Sequence, residues 1–363
     1  MGSITIEERV GLADFTTLGV GGVARFFVRV NSREALQEAC HWARERNLPL
    51  FILGGGSNVL IADSGWNGLV IKNELEGIVI DEREADILLR VGAGVSWDEL
   101  VELVAVKNWW GLEHLSGIPG SVGAAPIQNI NAYGVSVGET IHSVTAYNIE
   151  TDTFETCTNE QCHFGYRDSY FKTEAGKKLI ITEVCFTLSP TKKISSNYRS
   201  SKQSVYEKLK ERGIEEPSAS EVRAVVLEVR RSIGMLAGIY NSAGSFFKNT
   251  IVTTSQFEHI QAVVARQFPD KDKQFTPWYW PQPDETVKIS TAFLMECTPY
   301  NKTDFAGKHF NDRVGISPVH TLSLINLGDA QATDITLFAQ EISNTVNEIF
   351  SITLEPEVCF ISN

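Results

Sequence analysis

No apolar run in this 363-residue sequence approaches the roughly 20 residues that a membrane helix needs. The opening MGSITIEERV lacks the basic-then-apolar order of a secretory leader. Basic residues are in deficit: 32 Lys and Arg stand against 45 Asp and Glu, for a formal net charge of -13. That balance opposes non-specific nucleic-acid binding and adhesion to anionic membranes, but leaves room for a local basic pocket that takes a phosphate. Cysteines are few, six in all and without a CxxC pair, which fits a reducing cytosol better than a disulfide framework. The seven histidines show no metal-ligand spacing. Cys157 and Cys162 beside His163 lack a fourth ligand and the short Cys–Cys spacing of a zinc site, so no metal is expected. There is no internal repeat. The expectation is a soluble, cytoplasmic protein with neither a nucleic-acid nor a membrane partner.

What is present is ordinary globular material, 43% hydrophobic and 21% charged, enough for two or three modest domains. Collagen, coiled coil and overall disorder are excluded. Strands are predicted at 26–30, 50–53, 69–71, 78–80, 87–91, 144–149 and 179–188. A helix capped by Ser32 carries Ala35, Leu36, Ala39, Cys40 and Ala43 at helical spacing. A second, from Ser96 to about Lys107, has Glu99 at the capping-box distance from Ser96. The polar run Ser189–Ser204 reads as a linker or loop. Helices follow at 202–212, 220–233, 255–268 and 329–350, with a second folding unit starting near Gly234.

Two glycine-rich elements stand out. Gly54-Gly55-Gly56-Ser57-Asn58 follows an apolar strand, and bare glycines let backbone N–H groups approach an anion. It is neither a Walker A loop nor a GxGxxG opening a helix, and a phosphate role and a plain tight turn are evenly balanced. Residues 116–129, SGIPGSVGAAPIQN, offer little to a core and suit backbone laid against a large ligand; together the two suggest a dinucleotide. Tyr166-Arg167-Asp168-Ser169 reads more readily as a surface turn than as an inward-facing anion site. In residues 241–249, NSAGSFFKN, Ser245 lacks a nucleophile-elbow context, but its hydroxyl suits proton donation to a developing enolate. The run 354–361, LEPEVCFI, is strand-like and places Glu355 and Glu357 on one face of a buried edge, although Pro356 interrupts the ladder. Pro277-Trp278-Tyr279-Trp280-Pro281 reads as an aromatic cluster of the interior before a stacking platform.

In this order GGGSN, GIPGSVGAAPIQN, YRDSYFK, SAGSFFKN and LEPEV resemble the UDP-N-acetylenolpyruvoylglucosamine reductase (MurB) family of peptidoglycan synthesis, from about Thr16 to Ile361. Each motif is weak alone; five in order are specific. The segment around Tyr198 resembles the longer subtype, with a substrate-covering tyrosine loop.

The resemblance implies an α+β architecture. An FAD-binding unit of the vanillyl-alcohol-oxidase (PCMH) type would have two α+β subdomains, 1–75 (joined by a terminal strand at about 354–363) and 76–232. A substrate-binding α+β domain would occupy 233–353. It implies a monomer with non-covalent FAD, NADPH as co-substrate and a UDP-sugar enolpyruvyl substrate. Cofactor contacts would come from Gly54, Gly55, Gly56, Ser57, Asn58, Ile118, Pro119, Gly120, Gly123, Ala124, Gln128, Asn129 and Arg230. Ser245, Arg167 and Glu357 would be catalytic, and Tyr166, Tyr198, Lys248, Asn249 and His320 would line the substrate.

Departures from the family pattern are also visible. Ile233 stands where the family usually has a lysine. Residues 290–295 read STAFLM in place of SAGWLI, Asn131 replaces the glycine of QNIGAYG, and Cys359 replaces the arginine after EPEV. The rival readings are a flavin oxidase or dehydrogenase on the same scaffold, and a relative that binds flavin or sugar nucleotide without turnover.

Overall fold

The computed structural model describes residues 4–192, 205–305 and 310–363. The chain forms two compact units. One contains the chain up to Val10, Val23–Gly56 and Trp66–Ala237; the other contains Gly11–Gly22, Ser57–Gly65 and Gly238–Asn363.

Among the described residues, the first unit has two large sheets and a small hairpin, Asn131–Ala132 with Val135–Ser136. The strands Glu7–Gly11, Val23–Val30, Trp66–Asn73 and Leu50–Leu53 lie in that order, and the last three are mutually parallel. The helix Arg33–Glu45 covers this sheet. Ser32 Oγ accepts the Ala35 N–H at 3.1 Å, as the sequence suggests. Leu36, Ala39, Cys40 and Ala43 are buried against Val28, Val30, Leu69 and Ile71. Each large aliphatic side chain removed from water there contributes about 1.5–3 kcal/mol.

The second sheet, ordered Thr153–Thr158, Ile141–Asn148, Leu179–Leu188, Ile87–Gly92 and Ile78–Glu82, is antiparallel throughout. The helix Trp97–Val106 is built against it, with Trp97 against Phe186 at 6.0 Å between rings. The expected capping box does not form here. Ser96 makes no side-chain cap bond; its backbone bridges Ser121, and the Trp97 N–H donates to the Gly120 carbonyl at 3.1 Å. The helix start is thus tied to the second glycine-rich element. A further helix, Ala219–Ser232, does carry a capping box, from Ser218 and Glu221. Of the helix predicted at 202–212, Val205–Glu211 is seen, and Lys202 lies outside the described residues.

Among the described residues, the second unit contains two three-stranded sheets and four helices around a core rich in phenylalanine. Its longest helix, Ala332–Phe350, is capped from a distance. Asp63 accepts the Ala332 N–H at 2.7 Å, and the Thr333 N–H and hydroxyl at 2.9 Å and 2.6 Å. The expected long terminal strand is short, only Cys359–Ile361, because Pro356 cannot continue a ladder. It pairs in parallel with Val59–Ile61, and both strands belong to the second compact unit. The Trp278 cluster is interior, with Trp278 stacked on Phe293 at 4.2 Å. No described helix is long and apolar enough to cross a membrane.

Candidate active site

Within the first unit, the glycines of GGGSN meet the second glycine-rich element. A Cβ at Gly54 would fall 2.6 Å from Ser121 Oγ, and one at Gly55 would fall 2.5 Å from Gly120 Cα. Gly123 is as crowded, 2.6 Å from the Ala93 Cβ. Gly117 and Gly120 have φ of 70° and 127°, values that favour glycine. The segment is fastened by Val122 N–H to Val95 O and Gly123 N–H to Ala93 O, both 2.9 Å. Ile118, Pro119, Gly120, Ala124 and Gln128 remain only partly covered. The result is a surface of nearly bare backbone, suited to a flat ligand with a phosphate end.

Cations gather at the same unit. Arg167, at a φ of 52°, occupies a tight turn in which Gly165 N–H donates to Asp168 O at 2.9 Å. Ser169 beside it is buried, its hydroxyl donating to Ile127 O at 2.6 Å. Arg230, on the helix Ala219–Ser232, has a buried Nε with no hydrogen-bond partner among the described residues, while its Nη2 donates to Met235 O at 2.9 Å. Burial lowers the Arg230 pKa, opposed by Tyr133 and Asp98, and the nearby Arg167 charge lowers it further. A guanidinium stays charged even so. Two cations so placed, one poorly hydrated, favour an anionic ligand.

Three residues that the sequence reading missed hold this arrangement. Arg223 donates to both oxygens of Asp98, at 2.5 Å and 3.0 Å, and Asp98 also accepts the Gly117 N–H at 2.5 Å. Tyr133 hydrogen-bonds Arg230. A signal for Arg223 exists, since it lies seven residues before Arg230 and so shares its helical face. Asn129 serves the protein too: its amide donates to Gly165 O at 2.8 Å, and its oxygen accepts from Ser136 Oγ and the Gly138 N–H. Tyr166, next to Arg167, is 39% exposed.

In the second unit, residues 245–249 lie antiparallel beside 355–358. Glu357 N–H donates to Phe246 O and Lys248 N–H to Glu355 O, at 2.8 Å and 2.9 Å. Ser245 therefore lies one residue before the carbonyl that accepts the Glu357 N–H. Buried Phe246 and Phe247 anchor the strip. Asn58 Nδ2 donates to Glu357 O at 3.2 Å, tying the end of GGGSN to the same strip. Asn249 Oδ1 accepts the Thr291 N–H at 3.2 Å. Lys248 is ion-paired with Glu355. Glu355 is exposed and Glu357 only partly covered, unlike the buried edge expected from the sequence, because Pro356 turns the chain before the strand begins. His320 is partly covered at the start of the strand His320–Asn326. Tyr198 lies outside the described residues.

The residues fit an FAD. The glycine cradle would be filled by any Cβ, and the orphaned Arg230 Nε has a donor to offer. Burial pushes the thiols of Cys40, Cys162 and Cys297 up to about 12, which makes them poor nucleophiles for covalent attachment. No group of metal ligands occurs among the described residues.

Comparison with known proteins supports this assignment. Residues 24–157 match the model of the FAD binding domain family, and 232–361 that of the UDP-N-acetylenolpyruvoylglucosamine reductase C-terminal domain. UDP-N-acetylenolpyruvoylglucosamine reductases of Flavobacterium johnsoniae and Thermobifida fusca are 34% and 36% identical. The alignments cover 97% and 98% of this chain, and 98% of each relative. The crystal structure of the reductase from Thermus caldophilus is similar with a TM-score of 0.63 at 26% identity, over 99% of this chain and 100% of that one. A glycine cradle flanked by buried arginine, in a chain that aligns end to end with these reductases, places it in the UDP-N-acetylenolpyruvoylglucosamine reductase (MurB) family.

Proposed function

We propose that this chain reduces UDP-N-acetylglucosamine enolpyruvate to UDP-N-acetylmuramate, with NADPH as reductant and bound FAD as carrier. The observation that carries the reading is the closure of GGGSN onto IPGSVGA, where Gly54 and Gly55 leave no room for a side chain. When bound, the flavin supplies a hydride route from NADPH to the enolpyruvyl methylene carbon. The cradle presents backbone N–H groups to the pyrophosphate, and Arg230 adds a charged donor.

Arg167 pairs with the enolpyruvyl carboxylate and stabilises the charge that builds as the enolate forms. Ser245 Oγ gives its proton to the carbon that bears that charge. A hydroxyl is a weak acid in water, so this step depends on fixed geometry, which the anchored Phe246–Phe247 pair supplies to residue 245. Glu357 acts on the same carboxyl group, polarising it or working through a proton, because two bare carboxylates would repel. Tyr166, Tyr198, Lys248, Asn249 and His320 hold the sugar nucleotide, with Lys248 exchanging its Glu355 partner for phosphate. The expected partner is this small molecule, the protein a cytoplasmic monomer, and the FAD part divides near residue 75 along its two sheets.

The test is product analysis. NADPH and the enolpyruvyl sugar nucleotide should be consumed one for one, with a product heavier by two hydrogens. NADPH consumption that ignores the sugar nucleotide and follows oxygen would contradict the proposal.

A further inference from the structure

Lys72 is a residue that neither motif contains. It lies on the strand Trp66–Asn73, in parallel register with Leu53, so its side chain comes up beneath the first glycine of GGGSN. Its Nζ donates to the Gly54 carbonyl at 2.5 Å. The side chain is partly covered, and among the described residues it forms no ion pair. The nearest acid acting on it is Glu74, and Glu74 is committed to Arg29 at 2.5 Å. The local sum is therefore two cations and one carboxylate.

This is an unusual place for an ammonium. Strong hydration normally holds lysine in water, and here burial lowers its pKa, as does Arg29, against the pull of Glu74. Its bond goes to a neutral carbonyl and leaves the charge uncancelled. A carbonyl at the edge of an anion-binding turn is also a liability, because its oxygen repels phosphate. An ammonium bonded to that oxygen removes the repulsion and adds attraction.

Building on the flavin reading above, we propose that Lys72 is a positioning residue for the cofactor's pyrophosphate: it ties down the Gly54 carbonyl and supplies the positive charge under the glycine turn. The backbone cradle gives shape; Lys72 and Arg230 give charge from a strand and a helix of the same unit. Neither lysine nor strand position marks this role in the sequence, because Gly54 lies eighteen residues away, just past the end of the neighbouring strand.

The test separates charge from mere support. Apoprotein is titrated with FAD, flavin fluorescence is followed, and the thermal unfolding of the apoprotein is recorded alongside. Lys72→Gln keeps a donor for the Gly54 carbonyl and loses the charge; Lys72→Arg keeps both. The Gln variant should bind FAD about tenfold more weakly, about 1.4 kcal/mol, with a flatter dependence of affinity on salt. The Arg variant should stay within about threefold of wild type. Apoprotein melting should be unchanged in both. Equal affinity of wild type and Gln variant would overturn the assignment, as would equal losses in both variants tracking a lowered melting temperature. Wild-type apoprotein that takes up no FAD would instead overturn the flavin reading, and this role with it.

Discussion

Arg223 grips Asp98 with two parallel hydrogen bonds, and Asp98 in turn accepts the Gly117 N–H. One carboxylate thus links two helices to the glycine-rich segment that opens at Gly117. Arg223 is buried, so its charge has few alternatives to this partner. Arg223→Ala is expected to lower stability by about 1–3 kcal/mol and to loosen FAD binding, which thermal unfolding and a flavin titration would show together.

The same contact sets a pH dependence. Burial works to raise the Asp98 pKa, but the Arg223 hydrogen bond, the Gly117 N–H and the charges of Arg223 and Arg230 hold it below 3.8. A depressed carboxyl stabilises the fold above its unfolded value, and that stability is lost as the pH falls through the folded value. Asp98→Asn should therefore melt lower near neutrality, yet lose less further stability between about pH 5 and about pH 3. An unchanged slope of melting temperature against pH would contradict it.

Gly55→Ala tests the cradle. The added methyl meets backbone at Gly120, which cannot swing aside as a side chain does. Overpacking of this kind costs about 1–3 kcal/mol, and here it falls on the ligand surface. Purified variant protein should be paler than wild type, with a larger loss in FAD affinity than in melting temperature.

Ser245→Ala should leave flavin reduction by NADPH intact and slow the return of oxidised flavin on adding the sugar nucleotide, by about 10²–10⁴-fold. Rapid-mixing spectroscopy reads the two halves separately. An undiminished second half would remove Ser245 as proton donor.

Ile233 closes the helix that carries Arg223 and Arg230, where the family usually has lysine. Ile233→Lys is expected to lower KM for the sugar nucleotide by about tenfold, leaving FAD affinity unchanged.

How much of this was legible in the sequence follows physical range. The helix Arg33–Glu45 was readable because its cap and apolar stripe are local. The two glycine elements were readable because small residues in a long loop have few structural uses. Their closure onto each other was not, since nothing in GGGSN encodes Ser121 as a neighbour. Ser96 shows the converse: its capping-box spacing is correct, but a backbone bridge to Ser121 takes the residue for another purpose. The Asp63 cap on a helix that starts at Ala332, and the parallel pairing of Cys359–Ile361 with Val59–Ile61, join distant stretches. Arg167 read most simply as a surface turn; only its electrostatic reach to Arg230 gives it a different setting. The alternation around Glu355 and Glu357 suggests a buried edge, but Pro356 delays the strand to Cys359 and leaves Glu355 exposed and Glu357 partly covered.

The central claim is that one protein takes electrons from NADPH and returns them to an enolpyruvyl sugar nucleotide. The most direct measurement is the visible spectrum of the purified protein under anaerobic conditions, before NADPH, after it, and after UDP-N-acetylglucosamine enolpyruvate. Flavin bands should bleach with NADPH and return with the sugar nucleotide. Bands that bleach and stay bleached would contradict the substrate, and a colourless protein that cannot be reconstituted with FAD would contradict the account as a whole.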